Sequence, residues 1–376
     1  MALTISRIEF YQFRNYPELV LDGLKRVNVF IGENAVGKTN ILEGIHLACA
    51  CRSFRNASTE QLVTEGADIP QSRVALTLED ENRNLSVEVL MEQGRRTWRL
   101  NGKGAKSSDI RGLAPTVVFT PDDLLLIKGP QQERRGALDV LGSQITPNHQ
   151  TIRLDFDEVL RHKNRLLKDE ADPMLLETIN GLMVTCGAQL TFYRYNLFSR
   201  LAPKIISRYE RLSSGKESLT CEYVPSWVEH GHLSEEEMAT DEPRKLTRDE
   251  ARTMTRLALE RRFEDERTRQ RTIIGPQADK IFFKVDGRDA SAFASQGQQR
   301  TIVLAWKLAE VDLITEVLGH TPILLLDDVM SELDGARRAA LEVCIDEAAQ
   351  AFITTTNSGY FSDNALQKMA IITLPR

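Results

Sequence analysis

Short apolar runs separated by polar turns fill the first third of the chain, and this pattern predicts β-strands. The expected strands cover 4–13, 27–31, 73–78, 85–91, 95–100 and 116–119. Between about 122 and 270 the apolar positions recur at helical spacing. Helices are expected around 154–167, 173–212 and 248–271, with a break near Pro203 because proline disrupts a helix interior. Strands resume at 281–285, 321–326 and 351–354.

This order of elements predicts an α/β protein in which a mainly α-helical arm interrupts one lobe. The unbroken apolar runs at 27–31, 321–326 and 351–354 are typical of parallel strands covered on both faces. The lobe is therefore expected to combine a β-rich N-terminal part with a parallel-sheet core. Its predicted divisions are 1–121 for the N-terminal half, 122–270 for the helical arm lobe and 271–376 for the C-terminal half.

The strand at 27–31 leads into a glycine-rich loop and a helix that begins near Asn40. The loop has the GxxxxGK[ST] form of a P-loop, whose backbone N–H groups cradle the phosphates of a nucleoside triphosphate. Lys38 is expected to place a cation on the β- and γ-phosphates, and Thr39 to bind Mg²⁺. The predicted nucleotide-binding residues of this segment are Gly32, Glu33, Asn34, Ala35, Val36, Gly37, Lys38, Thr39 and Asn40.

Two carboxylates, Asp327 and Asp328, follow the apolar strand at 321–326, as in a Walker B element. Asp327 is predicted to hold Mg²⁺, directly or through water, and Asp328 to orient or deprotonate the attacking water. With Lys38, Asp328 is the predicted catalytic residue. The pair could instead cap the next helix, but a P-loop in the same chain favours the catalytic interpretation.

A third element, SQGQQR at 295–300, opens a strongly periodic helix whose N-terminus suits a γ-phosphate. It resembles the signature motif of ABC-type ATPases, in which one subunit's signature closes over the ATP held by another subunit's P-loop. The resemblance places Ser295, Gly297 and Gln298 at the nucleotide, although a simple polar N-cap would look similar. No histidine follows the strand at 351–354, and Asp328 stands where ABC transporters usually carry Glu. Both departures predict slow ATP turnover.

Composition is ordinary for a globular protein of about two domains, with 376 residues, 41% hydrophobic and 27% charged. No run approaches the roughly 18 apolar residues of a membrane span, and the N-terminus lacks the apolar core of a signal peptide. An odd number of cysteines, 5, without metal spacing fits reduced thiols. We therefore expect a cytoplasmic protein without a membrane partner.

The length of the helical arm distinguishes this chain from two other classes of ABC-type ATPase. The ATPase subunit of a membrane transporter has a much shorter segment between P-loop and signature. A long-armed SMC-type protein would show sustained heptads, which Gly181, Gly187 and Pro203 interrupt here. The transporter subunit is kept as the alternative function.

The full set of motifs resembles the RecF family of bacterial recombination mediator ATPases, over essentially the whole chain. The motifs are FRNY at 13–16, GENAVGKTNILEG at 32–44, RSFR at 52–55, TPDDL at 120–124, RR at 134–135, KNRLLK at 163–168, GP at 275–276, SQGQQR at 295–300 and LLLDDVMSELD at 324–334. The family often carries His-Arg-Asp after Gly-Pro, where this chain has Gln277-Ala278-Asp279. A contact made by that arginine is therefore in doubt here.

The resemblance implies an ATP- and Mg²⁺-dependent homodimer that binds DNA, particularly duplex gaps and single-strand/duplex junctions. It implies a function in recombinational repair, replication-fork maintenance and the SOS response, with RecR, and RecO indirectly, in loading recombinase in place of single-strand-binding protein. It also places Arg14 and Asn15 near the nucleotide. ATP-driven closure would clamp the dimer on DNA, and slow, DNA-stimulated hydrolysis would reset it.

Net charge is −6, so DNA binding requires a local basic patch rather than global basicity. The segment 95–106 contains five basic residues and no acid. The candidate DNA contacts are Arg95, Arg96, Arg99, Lys103 and Lys106, and a solvated hairpin remains the other interpretation. A second basic cluster at 252–271 is interleaved with acidic residues, so it is interpreted as an ion-paired exposed helix.

Overall fold

The computed structural model describes residues 2–66, 70–231, 245–357, 359 and 367–374. The chain forms two compact units: Met1–Asp123 with Glu310–Arg376, and Leu124–Ala309. The first unit thus combines both ends of the chain. None of the helices in the described ranges is long and apolar enough to cross a membrane.

Strands predominate before residue 120 and helices between 121 and 270, as the apolar pattern indicates. The strands are β1 Thr4–Phe13, β2 Tyr16–Leu21, β3 Val27–Ile31, β4 Gln71–Glu79, β5 Asn84–Glu92, β6 Arg95–Leu100, β7 Lys103–Ala105, β8 Thr116–Phe119, β9 Leu219–Val224, β10 Lys280–Val285, β11 Arg288–Asp289, β12 Ile323–Asp327, β13 Gln350–Thr355 and β14 Ala370–Thr373. The α-helices are α1 Lys38–Ala50, α2 Thr59–Leu62, α3 Ser107–Ile110, α4 Leu125–Lys128, α5 Gln131–Ile145, α6 His149–Lys168, α7 Pro173–Ser213, α8 Ser226–Gly231, α9 Arg248–Arg261, α10 Phe263–Arg269, α11 Ala290–Phe293, α12 Gln296–Leu318 and α13 Gly335–Glu347. Short 3₁₀ turns cover Pro121–Leu124 and Val329–Ser331.

The first unit contains two sheets. An antiparallel sheet has the order β2-β1-β4-β5-β6-β7, and a parallel sheet has the order β14-β3-β13-β12-β8. The parallel pairing aligns Leu326 with Phe119 and Ile353, so β8, β12 and β13 end at one edge of the sheet. The carboxyl edge of such a sheet is where α/β proteins bind ligands.

Helix α1 packs closely against the antiparallel sheet. A Cβ added at Gly44 would lie 2.4 Å from the ring of Phe10, so only glycine allows this approach. Ile41, Leu42 and Ile45 are fully buried in a core cluster shared with strands of both sheets. The packing fixes α1, and with it the loop that precedes its first turn.

The second unit is mainly helical, and its boundary differs from the expected division at 270. Strand β10 pairs antiparallel with β9, so Lys280–Val285 belongs to a small sheet of this unit. The unit therefore extends to Ala309 and includes the first turns of α12.

Pro203 does not break α7, contrary to the expected break. One helix of 41 residues runs from Pro173 to Ser213 with Pro203 inside it. Leu201 and Ile205 on either side are fully buried. Burial of these side chains offsets the roughly 3 kcal/mol that an interior proline costs a helix.

A candidate nucleotide-binding site

The loop between β3 and α1 has the backbone geometry of a phosphate cradle. Gly37 adopts φ 104°, and a Cβ there would lie 2.5 Å from the Asn15 side chain and 2.8 Å from the Tyr16 hydroxyl. No side chain caps α1, so its first N–H groups are left to a ligand. A helix N-terminus with free N–H groups binds phosphate.

Lys38 lies folded over this loop. Its Nζ donates to the backbone oxygens of Gly32 at 2.6 Å and Glu33 at 2.7 Å, and the residue is only 7% exposed. These two contacts hold the ammonium group over the loop, at the N-terminal end of α1. A β- or γ-phosphate entering the loop would compete with these two carbonyl oxygens for it.

Thr39 and Asp327 lie side by side, one from the first turn of α1 and the other from the end of β12. Thr39 Oγ1 donates to Asp327 Oδ1 at 2.8 Å, and Thr354 Oγ1 donates to the same oxygen at 2.8 Å. Mg²⁺ prefers hard oxygen ligands and usually keeps waters and substrate phosphates in its shell. One hydroxyl and one carboxylate fit that requirement, and no cluster of three acidic, His or Cys ligands occurs in the described part of the chain.

Asp328 has one carboxylate oxygen, Oδ1, that is buried and has no partner among the described residues. Its backbone is left-handed, with φ 51°, and its N–H donates to Thr354 at the backbone oxygen and Oγ1. Burial raises the pKa of Asp328; Lys38 opposes this, while Asp327 and Glu332 raise it further. An unpaired carboxylate with a raised pKa beside a phosphate cradle has the properties of a general base.

Asn15 contacts the loop directly. Its Nδ2 donates to Val36 O at 3.0 Å, and its Oδ1 accepts from Asn40 Nδ2 at 2.7 Å. Arg55 donates to Asn40 Oδ1 at 3.2 Å. The structure therefore brings Asn15 and Asn40 together around Gly37, as an amide pair behind the cradle.

Arg14 is differently engaged. It forms two hydrogen bonds of 2.8 Å to the carboxylate of Glu43, a residue of α1 with no exposed surface, and donates to Gln61 O. Ser53 Oγ donates to the same carboxylate at 2.5 Å. These contacts make Arg14 a support of α1; they do not place its guanidinium in the loop.

Ser295 and Gln298 begin α12 in the second unit. Gln298 N donates to Ser295 Oγ at 3.2 Å, and Ser295 N donates to Gln298 Oε1 at 2.7 Å, a reciprocal capping arrangement. Gln298 Nε2 also donates to Glu217 Oε1 at 2.9 Å. Ser295 is exposed, and Gly297 lies in the first turn. The N-cap interpretation thus holds geometrically, and it leaves the helix end at the surface.

The basic hairpin of the first unit divides its charges between two faces. Arg95 and Arg99 are exposed, and they pair in register with Glu92 and Glu88. Arg96 points the other way: its guanidinium donates to backbone and side-chain oxygens of 57 and 59, and burial lowers its pKa. Arg96 is therefore an anchor of the hairpin and is not placed for the DNA contact predicted for it.

Lys103 and Lys106, beyond the turn, are both exposed. Trp98 packs on the core, and its indole nitrogen is buried without a partner among the described residues. The exposed candidates of the hairpin are therefore Arg95, Arg99, Lys103 and Lys106, without an aromatic platform.

Three residues of the site were not predicted as site residues from the sequence. Tyr16 lies against Gly37, and burial raises its pKa to about 12. Glu43 holds Arg14, and Thr354 holds Asp327. A polar residue at the end of an apolar strand was the one available signal, at Thr354. The motifs at 13–16 and 32–44 contain Tyr16 and Glu43, but the contacts that give these residues a role appear only when the elements pack together.

A family described as "RecF/RecN/SMC N terminal domain" matches residues 4–374. The chain is 35% identical over 373 residues to the "DNA replication and repair protein RecF" of Halalkalibacterium halodurans, covering 98% of this chain and 96% of that protein. It is 37% identical to the protein of the same name from Symbiobacterium thermophilum, covering 94% and 91%.

The fold is similar to a solved structure described as the recombination mediator protein RecF-ATPrS in the RecFOR pathway. The TM-score is 0.85 at 27% identity, and the match covers 96% of this chain and 94% of that one. It confirms the predicted α/β architecture, an ATPase lobe with inserted helices.

Proposed function

This chain belongs to the RecF family, and from that premise we propose that it is an ATP-dependent DNA-binding protein of recombinational repair and replication-fork maintenance. The contact between Thr39 and Asp327, beneath Lys38 and beside the unpaired Asp328, carries the proposal. Together these groups supply a phosphate cradle, two Mg²⁺ ligands and a base for an attacking water.

ATP binds in the loop at 32–39 of one chain, and the end of α12 of a second chain closes over its γ-phosphate. Ser295, Gly297 and Gln298 form that closing end, which is at the surface. Two ATP molecules are thus enclosed in a homodimer. Closure brings the basic surfaces of both chains onto a duplex, a gap or a single-strand/duplex junction, and hydrolysis assisted by Asp328 reopens the dimer.

Hydrolysis is slow and stimulated by DNA, because its task is to reset a clamp. We further propose that RecR, and RecO through it, are the partners that convert DNA binding into recombinase loading in the cytoplasm. The similar solved structure, described as a recombination mediator protein in the RecFOR pathway, supports a place in that pathway.

The test is binding to a gapped duplex with and without ATP, together with molar mass by light scattering, for wild type, Lys38→Ala and Asp328→Asn. The exposed Lys25→Ala controls for loss of one charge. ATP should convert monomer to dimer and tighten DNA binding, Lys38→Ala should abolish both, and Asp328→Asn should trap the dimer on DNA. DNA affinity and mass that do not respond to ATP would refute the proposal.

A further inference from the structure

A pocket of about 360 Å³ opens in the second unit, where α10 ends and the chain turns toward β10. It belongs to none of the nucleotide-binding segments. Its polar lining comes from Arg262, Asp265, Arg269, Arg271, Thr272 and Gln277. We call it the arginine pocket.

The arginines of this region differ in their charge partners. Arg262 pairs with Asp265 at 2.7 Å, and Arg267, outside the pocket, pairs with Glu264 at 3.1 Å. These pairs agree with the ion-paired helix expected for this segment. Arg269 and Arg271 are exposed, and within the described ranges neither forms an ion pair. The arginine pocket therefore carries excess positive charge, which an anion would neutralise.

The backbone beneath the pocket is held in place by buried polar groups. Lys163 Nζ donates to Glu266 Oε2 at 2.5 Å, and both side chains are 1% exposed. The other carboxylate oxygen of Glu266 accepts from Ile273 N at 2.9 Å. Asn164 Oδ1 accepts from Thr272 N at 2.8 Å. A rigid backbone lowers the entropy that a ligand-binding loop loses on binding.

Thr272 adds an unsatisfied group to this rigid segment. Its Oγ1 is buried and has no hydrogen-bond partner in the described part of the protein. A buried hydroxyl without a partner costs free energy of about 1–3 kcal/mol. A phosphate oxygen that reaches this hydroxyl would accept a hydrogen bond from it and offset that cost.

We propose that the arginine pocket binds a phosphodiester group of DNA. Arg269 and Arg271 donate to its non-bridging oxygens, since planar guanidinium groups match phosphate geometry, and Thr272 donates a third hydrogen bond. The inference rests on the proposed DNA binding and deepens it by adding a contact in the helical unit, separate from the hairpin at 95–106. Because Arg269 and Arg271 are exposed, a DNA strand can continue past the pocket on both sides of the bound phosphate.

The test compares Arg269→Ala and Arg271→Ala with Arg267→Ala, a matched control that removes the same charge from the same region but lies outside the pocket. Gapped-duplex affinity is measured with ATP over a range of salt. The double variant Arg269→Ala/Arg271→Ala loses the phosphate contact, so it should reduce the salt slope by about 0.9 and weaken binding about fivefold at 0.15 M salt. Each single variant should show part of this change, because the other arginine remains. Thr272→Val should weaken binding about fivefold without changing the slope. The control should match wild type.

Arg269→Lys and Arg271→Lys keep the charge, so they should retain the slope while losing affinity. If the alanine variants bind DNA like Arg267→Ala, the inference is wrong although the proposed function stands. A melting temperature that inorganic phosphate raises in wild type and not in Arg269→Ala, with DNA binding equal to the control, would show a free-phosphate site and overturn it. If wild type binds no DNA with ATP, both fail together.

Discussion

Asp328 combines an unfavourable backbone conformation with an environment that disfavours its ionised form. It adopts a left-handed backbone conformation, which Asp tolerates better than most residues, and it follows a second carboxylate directly. Burial raises its pKa, and Asp327 and Glu332 add to the effect. The pKa of Asp328 in the folded state lies above the ordinary value of 3.8. The ionised carboxylate therefore destabilises the fold once the pH rises from 3.8 through the folded-state pKa. Such a cost is typical of a functional site.

Replacing the carboxyl tests this interpretation. Asp328→Asn should lower ATP hydrolysis by about 10²–10⁴-fold, since general bases contribute that much, and should leave ATP binding intact. Glu332→Gln removes one charge that raises the pKa, so the acid limb of its hydrolysis profile should move to lower pH. Steady-state rates from pH 4 to 8 measure both. An acid limb that moves to higher pH in Glu332→Gln would contradict the assignment of Asp328 as the titrating base.

Gly37 is the second critical residue. Gly37→Ala forces a Cβ onto Asn15 and Tyr16 at a positive φ, so we expect nucleotide affinity to fall at least about tenfold, which corresponds to 1–3 kcal/mol of backbone strain. Gly23→Ala is the control, because Gly23 has φ 68° and open space around its Cβ position. Fluorescent nucleotide titration compares the two. Equal losses would show that the effect comes from general destabilisation by a strained residue, and that the contact with Asn15 is not its cause.

Among the elements, the periodic ones were predictable. Strands β1, β3, β6 and β8 have the bounds that alternation or continuous apolarity indicated. Strand β7 is 3 residues long, too short to show a period. The continuity of α7 at Pro203 depends on burial by other helices, which local propensity does not contain. In the site, sequence motifs predicted the loop and both Asp residues, whereas no motif predicted the Arg14–Glu43 pair.

Helices α5, α6 and α7 meet at a buried charge cluster. Arg194 donates to both oxygens of Asp139, and His149 Nε2 lies 2.9 Å from Oδ1. Burial alone would raise the pKa of Asp139, but Arg194 and His149 together hold it below its usual range. A lowered folded-state pKa stabilises the protein above the ordinary Asp pKa, and that stability is lost as the pH falls.

Asp139→Asn should therefore destabilise the second unit by about 3–5 kcal/mol at pH 7, as breaking one partner of a buried ion pair does. The difference from wild type should shrink as the pH falls below the ordinary Asp pKa. Urea unfolding at several pH values measures it, with the exposed Asp249→Asn as control. A difference that stays constant down to acid pH would mean that the carboxylate charge is not what stabilises the helices.

At the scale of the whole molecule, the predicted nucleotide-binding residues fall in both units. The loop at 32–39 and Asp327 belong to the first unit, and Ser295 belongs to the second. The proposed clamp requires α12 of a second chain to complete each ATP site. Symmetric dimers in which every site uses both subunits are a common solution.

Mixing two inactive variants tests this requirement most directly. Lys38→Ala removes the phosphate-binding cation, and Ser295→Arg blocks the closing end of α12, so each variant alone should be inactive. In a mixed dimer, one site combines the intact loop of the Ser295→Arg chain with the intact α12 of the Lys38→Ala chain. An equimolar mixture should recover ATP hydrolysis to at most about half of the wild-type rate, because each mixed dimer has one complete site of two. A mixture as inactive as its components would contradict the account.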